Sequence, residues 1–140
     1  MQLIAYLSFN GNCEEAFRYY AKHLGGTIEA MIPFADAPAG QDCGPDAGPE
    51  WKKKIMHASL RVGEAVLMGG DPPPPYYKKP EGVSVNISLT DADEAERIFN
   101  ALADGGEEKM PLGETFFASR FGMCVDRFGT PWMIHCEKAA

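Results

Sequence analysis

Four side chains in this sequence have the right chemistry for proton transfer or anion recognition: His57, His135, Glu64 and Arg120. An imidazole titrates near neutrality, so either histidine is a candidate general base if its environment supports it. Glu64 could share that work. Arg120 could fix a carboxylate or phosphonate through its planar fork. Each has a plainer reading. A lone strand histidine is commonly a polar sheet residue bonded to a neighbour, and Arg120 reads first as one half of an ion pair at a sheet edge. Asp126 stands just before Arg127-Phe128-Gly129 and reads as a turn cap. His23 falls near a helix C-terminus, where a cation suits the dipole.

The four cysteines, Cys13, Cys43, Cys124 and Cys136, form no Cys-x-x-Cys pair and have no histidine at zinc-finger spacing. They are expected to be reduced, with Cys124 and Cys136 as core thiols on strands. Cys136 has no basic neighbour to activate it as a nucleophile.

These residues are positioned by elements legible in the pattern. Leu3 to Phe9 alternates as a strand, and Asn12 stands as N-cap to a helix over Cys13–Leu24 with Glu14 and Glu15 in its first turn. Gly25-Gly26 ends that helix. Strands follow at Thr27–Phe34, Ile55–Val62 and Glu64–Met68, with Gly63-Glu64 as the hairpin turn. Residues 35–50 lack periodicity and read as a long loop. Residues 72–80 hold the Pro72–Pro75 run and read as a stiff, extended connector. A second series then begins: a strand at Val83–Leu89, a helix over 93–103 capped by Thr90 or Asp91, Gly105-Gly106, and strands at Lys109–Leu112, Phe116–Asp126 and Thr130–Cys136.

The two series repeat. One constant offset lays Leu7-Ser8-Phe9 on Ile87-Ser88-Leu89, Glu14 on Glu94, and Gly25-Gly26 on Gly105-Gly106. An offset smaller by two lays Met31-Ile32-Pro33-Phe34 on Lys109-Met110-Pro111-Leu112. One domain over residues 1–140 is expected, with repeats at about 1–71 and 81–138. The fold class is α+β, two βαβββ repeats forming a curved mixed sheet around a central cleft. Such a cleft is where a small ligand would bind.

The segments Phe9–Phe17, Gly63–Asp71 and above all Arg120–Ile134 resemble PhnB-like proteins of the glyoxalase/bleomycin-resistance/dioxygenase (vicinal-oxygen-chelate) superfamily. The resemblance covers nearly the whole chain and implies the glyoxalase fold and a homodimer. Some relatives carry a methyltransferase label, yet no Gly-rich loop between strand and helix is present to cradle S-adenosylmethionine. Metal-dependent members of the superfamily place four ligands on four strands. Carried over by register, these fall on Ala5, Met68 (or Leu67), Val85 and Met133. None is His, Asp or Glu, and a hard divalent cation needs such donors. The resemblance therefore implies a pocket without the usual metal; a shift of one residue in the register would reassign the positions. Phe117, Phe121 and Trp132 would supply aromatic walls suited to a flat or cationic ligand, over a soft floor of Met68 and Met133.

Composition narrows the partners. Across 140 residues the formal net charge is −7, which disfavours nucleic acid and anionic membrane surfaces. No apolar run approaches a membrane span. The first residues enter a strand pattern with no basic leader, so a cytoplasmic location is expected. Two functions compete: a metal-free small-molecule-binding protein, or a superfamily enzyme using a relocated metal or His/Glu acid–base chemistry. A partner-binding protein with a filled cleft is a third.

Overall fold

In the computed structural model, residues 1–38 and 48–139 are described. Cys43 and the middle of the loop expected over 35–50 lie outside the described residues. The chain gathers into two compact units, Met1–Lys79 and Pro80–Ala140.

The first unit runs β1 (Tyr6–Ser8), α1 (Cys13–Leu24), β2 (Thr27–Pro33), β3 (Ile55–Val62) and β4 (Ala65–Gly70). Its sheet has the order β1-β4-β3-β2, with β1 parallel to β4 and the other pairs antiparallel. The second unit runs β5 (Val85–Leu89), α2 (Ala92–Ala103), β6 (Glu107–Gly113), β7 (Arg120–Val125) and β8 (Pro131–Cys136), in the matching order β5-β8-β7-β6. Each unit is thus βαβββ, as the repeat implies. The Pro-rich connector is less extended than its composition suggests. Pro73 is extended, but residues Pro74–Tyr76 close a 3-10 turn, with the amides of Tyr76 and Tyr77 donating to the carbonyls of Pro73 and Pro74 at 2.8 and 3.2 Å.

One helix covers one face of each sheet. α1 buries Cys13, Ala16, Phe17 and Tyr20 over Leu7, Ala58 and Leu60. Phe9, Phe17 and Tyr20 form an aromatic knot with centroids 5.9 to 6.5 Å apart. α2 buries Ala95, Ile98, Phe99 and Leu102 over Cys124, Trp132, Ile134 and Cys136. A buried aromatic ring contributes about 1.5–3 kcal/mol. In both units a strand glycine lets that ring reach the sheet: a Cβ on Gly69 would stand 3.0 Å from Phe17, and one on Gly122 would stand 3.0 Å from Phe99.

The two helices start differently. Asp91 caps α2 locally, its carboxylate accepting from the amides of Asp93 and Glu94 at 2.9 and 3.3 Å. Asn12 makes no such bond. The first turn of α1 is held instead by the buried Asp71, beyond the end of β4. Its Oδ1 accepts from the amides of Gly11 and Cys13 at 2.9 and 3.1 Å, and its Oδ2 from that of Ile55 at 2.9 Å. Burial raises the Asp71 carboxyl above its ordinary value, against the pull of these three amides. In the second unit Asp126 does cap its turn, accepting from the amides of Phe128 and Thr130 and from the Trp132 indole at 2.8 to 2.9 Å.

Two outcomes follow from this packing. Asp71→Asn puts an amide donor where one N–H already points, and should lower urea stability by about 1–3 kcal/mol; an unchanged midpoint would show that the carboxylate is not the tie. Burial pushes the Cys124 thiol up to about 11 and the Cys13 thiol above that. Above pH 9 an unfolded chain loses thiol protons that the native chain keeps, so stability present below pH 9 should decline as pH rises toward 11. Urea midpoints measured across that range should fall, and fall less steeply in Cys124→Ala. A slope unchanged by the substitution would contradict this assignment.

Candidate functional site

Because α1 and α2 each cover one face, strand parity decides which side chains are left on the other. In the first unit Tyr6 pairs with Met68, Ser8 with Gly70, and Ser59 with Met68, all on the face away from α1; His57 joins them by alternation along β3. The Tyr6 hydroxyl donates to the Met56 carbonyl at 3.2 Å and lies 3.4 Å from His57 Nδ1, with the rings stacked 5.8 Å apart. Partial burial raises the Tyr6 phenol above its ordinary value, so it stays protonated at neutral pH.

In the second unit the open face carries Asn86 beside Met133, Ser88 beside His135, Phe121 beside His135, and Met123 beside Met133. Phe117 packs edge-on against Phe121 at 5.1 Å and lies 5.9 Å from His135; Phe121 lies 6.3 Å from the same imidazole. The segment bearing Phe117 is pinned by Thr115, whose hydroxyl accepts from the amides of Phe117 and Ala118 at 3.3 and 3.0 Å. Phe121, Phe117, Met133 and His135 therefore come together as the sequence suggests.

Other expected site residues do not join them. Trp132 is 1% exposed, shares its face with Ile134 and Cys136 under α2, and gives its indole N–H to Asp126. It is core, because it alternates with Met133 and so faces the other way. Val85 pairs with Trp132 and shares that covered side. Ala5 precedes β1 and has the parity of the buried Leu7, while Leu67 pairs with Leu60 beneath α1. Arg120 pairs with Cys136, and its guanidinium bonds Glu96 of α2 at 2.9 Å, so it is the ion pair that its plainer reading describes. Glu64 sits in the β3–β4 hairpin, roughly 17 Å along the strand from His57 at about 3.3 Å per residue. Among the described residues neither imidazole is bonded to a carboxylate.

By parity Ala5 and Val85 thus fall on the covered sides, and the open positions beside Met68 and Met133 are Tyr6 and Asn86. Of these four only the Asn86 amide oxygen is a usual ligand for a hard divalent cation, and two thioethers and a protonated phenol do not complete a shell around it. Among the described residues no group of three or more His, Cys, Asp or Glu side chains is placed to hold a metal ion.

Sequence reasoning missed a hollow of about 390 Å³ in the first unit, walled by Tyr6, Phe34, Met56, Pro72, Pro73 and Tyr76. A register argument could have found Tyr6. Phe34 and Tyr76 lie outside strands, where alternation gives no signal. A second concavity, also about 390 Å³, opens at the start of α1 among Glu14, Glu15, Arg18, Lys53 and Lys54, a mixed-charge and solvated surface.

Known proteins bear on this arrangement. The protein YjdN of Escherichia coli (strain K12) is 33% identical over 142 residues, covering 99% of this chain and 97% of its own. The crystal structure of protein PA1353 from Pseudomonas aeruginosa is 51% identical, covers 99% of both chains and superposes with a TM-score of 0.88. At 7% identity, FosX, a fosfomycin resistance protein from Listeria monocytogenes, matches over 99% of this chain and 93% of its own with a TM-score of 0.65, which shows a shared fold. The family model described as 3-demethylubiquinone-9 3-methyltransferase matches residues 1–135. With two βαβββ units, these relatives and that match, the chain belongs to this PhnB-like family and has the glyoxalase/bleomycin-resistance fold.

Proposed function

We propose that this protein binds a small organic molecule on the open faces of its sheets and does so without a divalent metal. One observation carries the reading: the open faces present Tyr6 and Met68 in the first unit and Asn86 and Met133 in the second, a mainly apolar and aromatic set. FosX was crystallised with Mn(II); the side chains here favour apolar and aromatic contact over ion coordination. Acid–base catalysis by His57 or His135 finds less support, since a general base is normally oriented by a carboxylate or similar third group: His135 has ring neighbours, and His57 Nδ1 meets the Tyr6 hydroxyl at 3.4 Å, which itself bonds the Met56 carbonyl. Methyl transfer is no part of the proposal: the β1–α1 and β5–α2 junctions, Asn10–Asn12 and Thr90–Asp91, contain a single glycine between them, too few for a nucleotide-type cradle. The resemblance adds a homodimer to this reading, which sedimentation would measure. No helix of the described residues is long and apolar enough to cross a membrane.

Protein purified without chelator should carry far less than one equivalent of Mn, Fe, Ni or Zn by elemental analysis. Its melting temperature should not move with added divalent ions, and should rise with at least one class in a screen of neutral, cationic and anionic small molecules. A stoichiometric metal would overturn the metal-free reading, and a screen with no hit in any class would overturn the binding reading.

A further inference from the structure

The hollow in the first unit has features that a filled core or a bare surface lacks. Tyr6 and Tyr76 are 54% and 61% exposed, though their rings flank a concavity. Large aromatic rings left in water around a hollow are a mark of ligand contact. The Tyr6 ring and the Tyr76 backbone are each held in place. The Tyr6 hydroxyl is fixed between the Met56 carbonyl and His57 Nδ1. Tyr76 ends the Pro72–Pro75 run, and its amide closes the turn onto Pro73 at 2.8 Å. Proline restricts the backbone in advance, so ordering this wall costs little when a ligand arrives. Gly70 leaves the floor open: a Cβ there would stand 3.0 Å from the Tyr6 hydroxyl and 2.7 Å from the Met56 carbonyl.

Charge decides the class of ligand. The described lining contains no lysine and no arginine. Its one ionisable acid is Asp71, whose carboxylate already takes three amides. An anionic ligand would find no cation within the described lining, and the nearby Lys54 already acts on Asp71, in a chain of formal net charge −7. Tyrosine ring faces are electron-rich and attract cations. At about 390 Å³ the hollow lies within the range of small-ligand pockets, about 300–1,000 Å³.

We propose that this hollow, walled by Tyr6, Phe34, Met56 and Tyr76, is the binding site for a planar aromatic cation. The assignment rests on the small-molecule reading above and deepens it, naming both the site and the ligand class. Proflavine, a flat cation, serves as the probe, and anthracene carboxylate as an anion of similar shape. Fluorescence titration of the full chain should give saturable one-to-one binding of proflavine. Binding of the anion should be at least tenfold weaker. Tyr76→Ala, at an exposed position, should keep the melting temperature and weaken proflavine at least tenfold. Tyr6→Phe should keep the ring and weaken it less. Lys109→Ala, at an exposed position of the other unit, should leave the affinity unchanged, and Phe117→Ala probes the rival open face. Loss of affinity in Phe117→Ala with none in Tyr76→Ala would overturn the hollow as the site and leave the small-molecule reading standing. Equal binding of the anion would overturn the ligand class. No binding of either probe would overturn the assignment, while the melting screen judges the wider reading separately.

Discussion

A four-stranded sheet has two faces, and each unit has one long helix to cover them. That inequality shapes the rest. The residues of α1 and α2 bury the apolar set of one parity, and the opposite parity remains for something else. Tyr6, His57 and Met68 in the first unit, and Phe121, Met133 and His135 in the second, are large side chains on a face that no helix of their own unit covers. A one-residue slip on any strand would send these into the core and bring Leu7 or Trp132 out. The glycines beneath Phe17 and Phe99 support that assignment, since the ring seated over each of them defines which face is closed.

The two units share a frame but distribute their chemistry differently. By register with the parallel edge strands, Gly70 in β4 corresponds to His135 in β8, each beside a serine, Ser8 or Ser88. Along the antiparallel neighbours, His57 in β3 corresponds to Phe121 in β7. Each open face therefore pairs an imidazole with an aromatic ring, but with the imidazole on a different strand. In the first unit the vacated position is filled by the Tyr6 hydroxyl, and the missing side chain at Gly70 leaves room for the hollow.

Much of this is legible in the residues. The alternation in β3 and β8 and the apolar stripes of both helices are strong periodic signals, and they placed those elements within a residue or two. Met133 and His135 share a face by strand parity, whereas Phe117 lies outside any strand and was offered as an aromatic wall on its residue type. Ala5 and Val85 were misplaced because β1 has three residues and β5 five, with Ala5 just before one and Val85 at the start of the other, so a family position carried onto either has too little pattern to fix the face. Trp132 was misplaced for another reason: an indole beside a pocket position invites a ligand role, and its bond to Asp126 depends on a turn whose geometry composition does not specify. Phe34 and Tyr76 belong to 3-10 turns, where neither period applies.

The different starts of the two helices bear on when each helix can form. Asp91 meets its amides two and three residues away, so α2 carries its own start signal and its first turn can form before any strand has paired. The first turn of α1 is tied to a carboxylate 58 and 60 residues further along the chain. Its amides are satisfied only after β3 and β4 have returned across the sheet. Closing so long a loop carries an entropic cost that local structure cannot offset in advance. α2 can therefore start before its sheet closes, even though β5 still pairs with β8, 47 residues further on (Val85 with Trp132). α1 completes its start only once the sheet of its own unit has closed around Asp71.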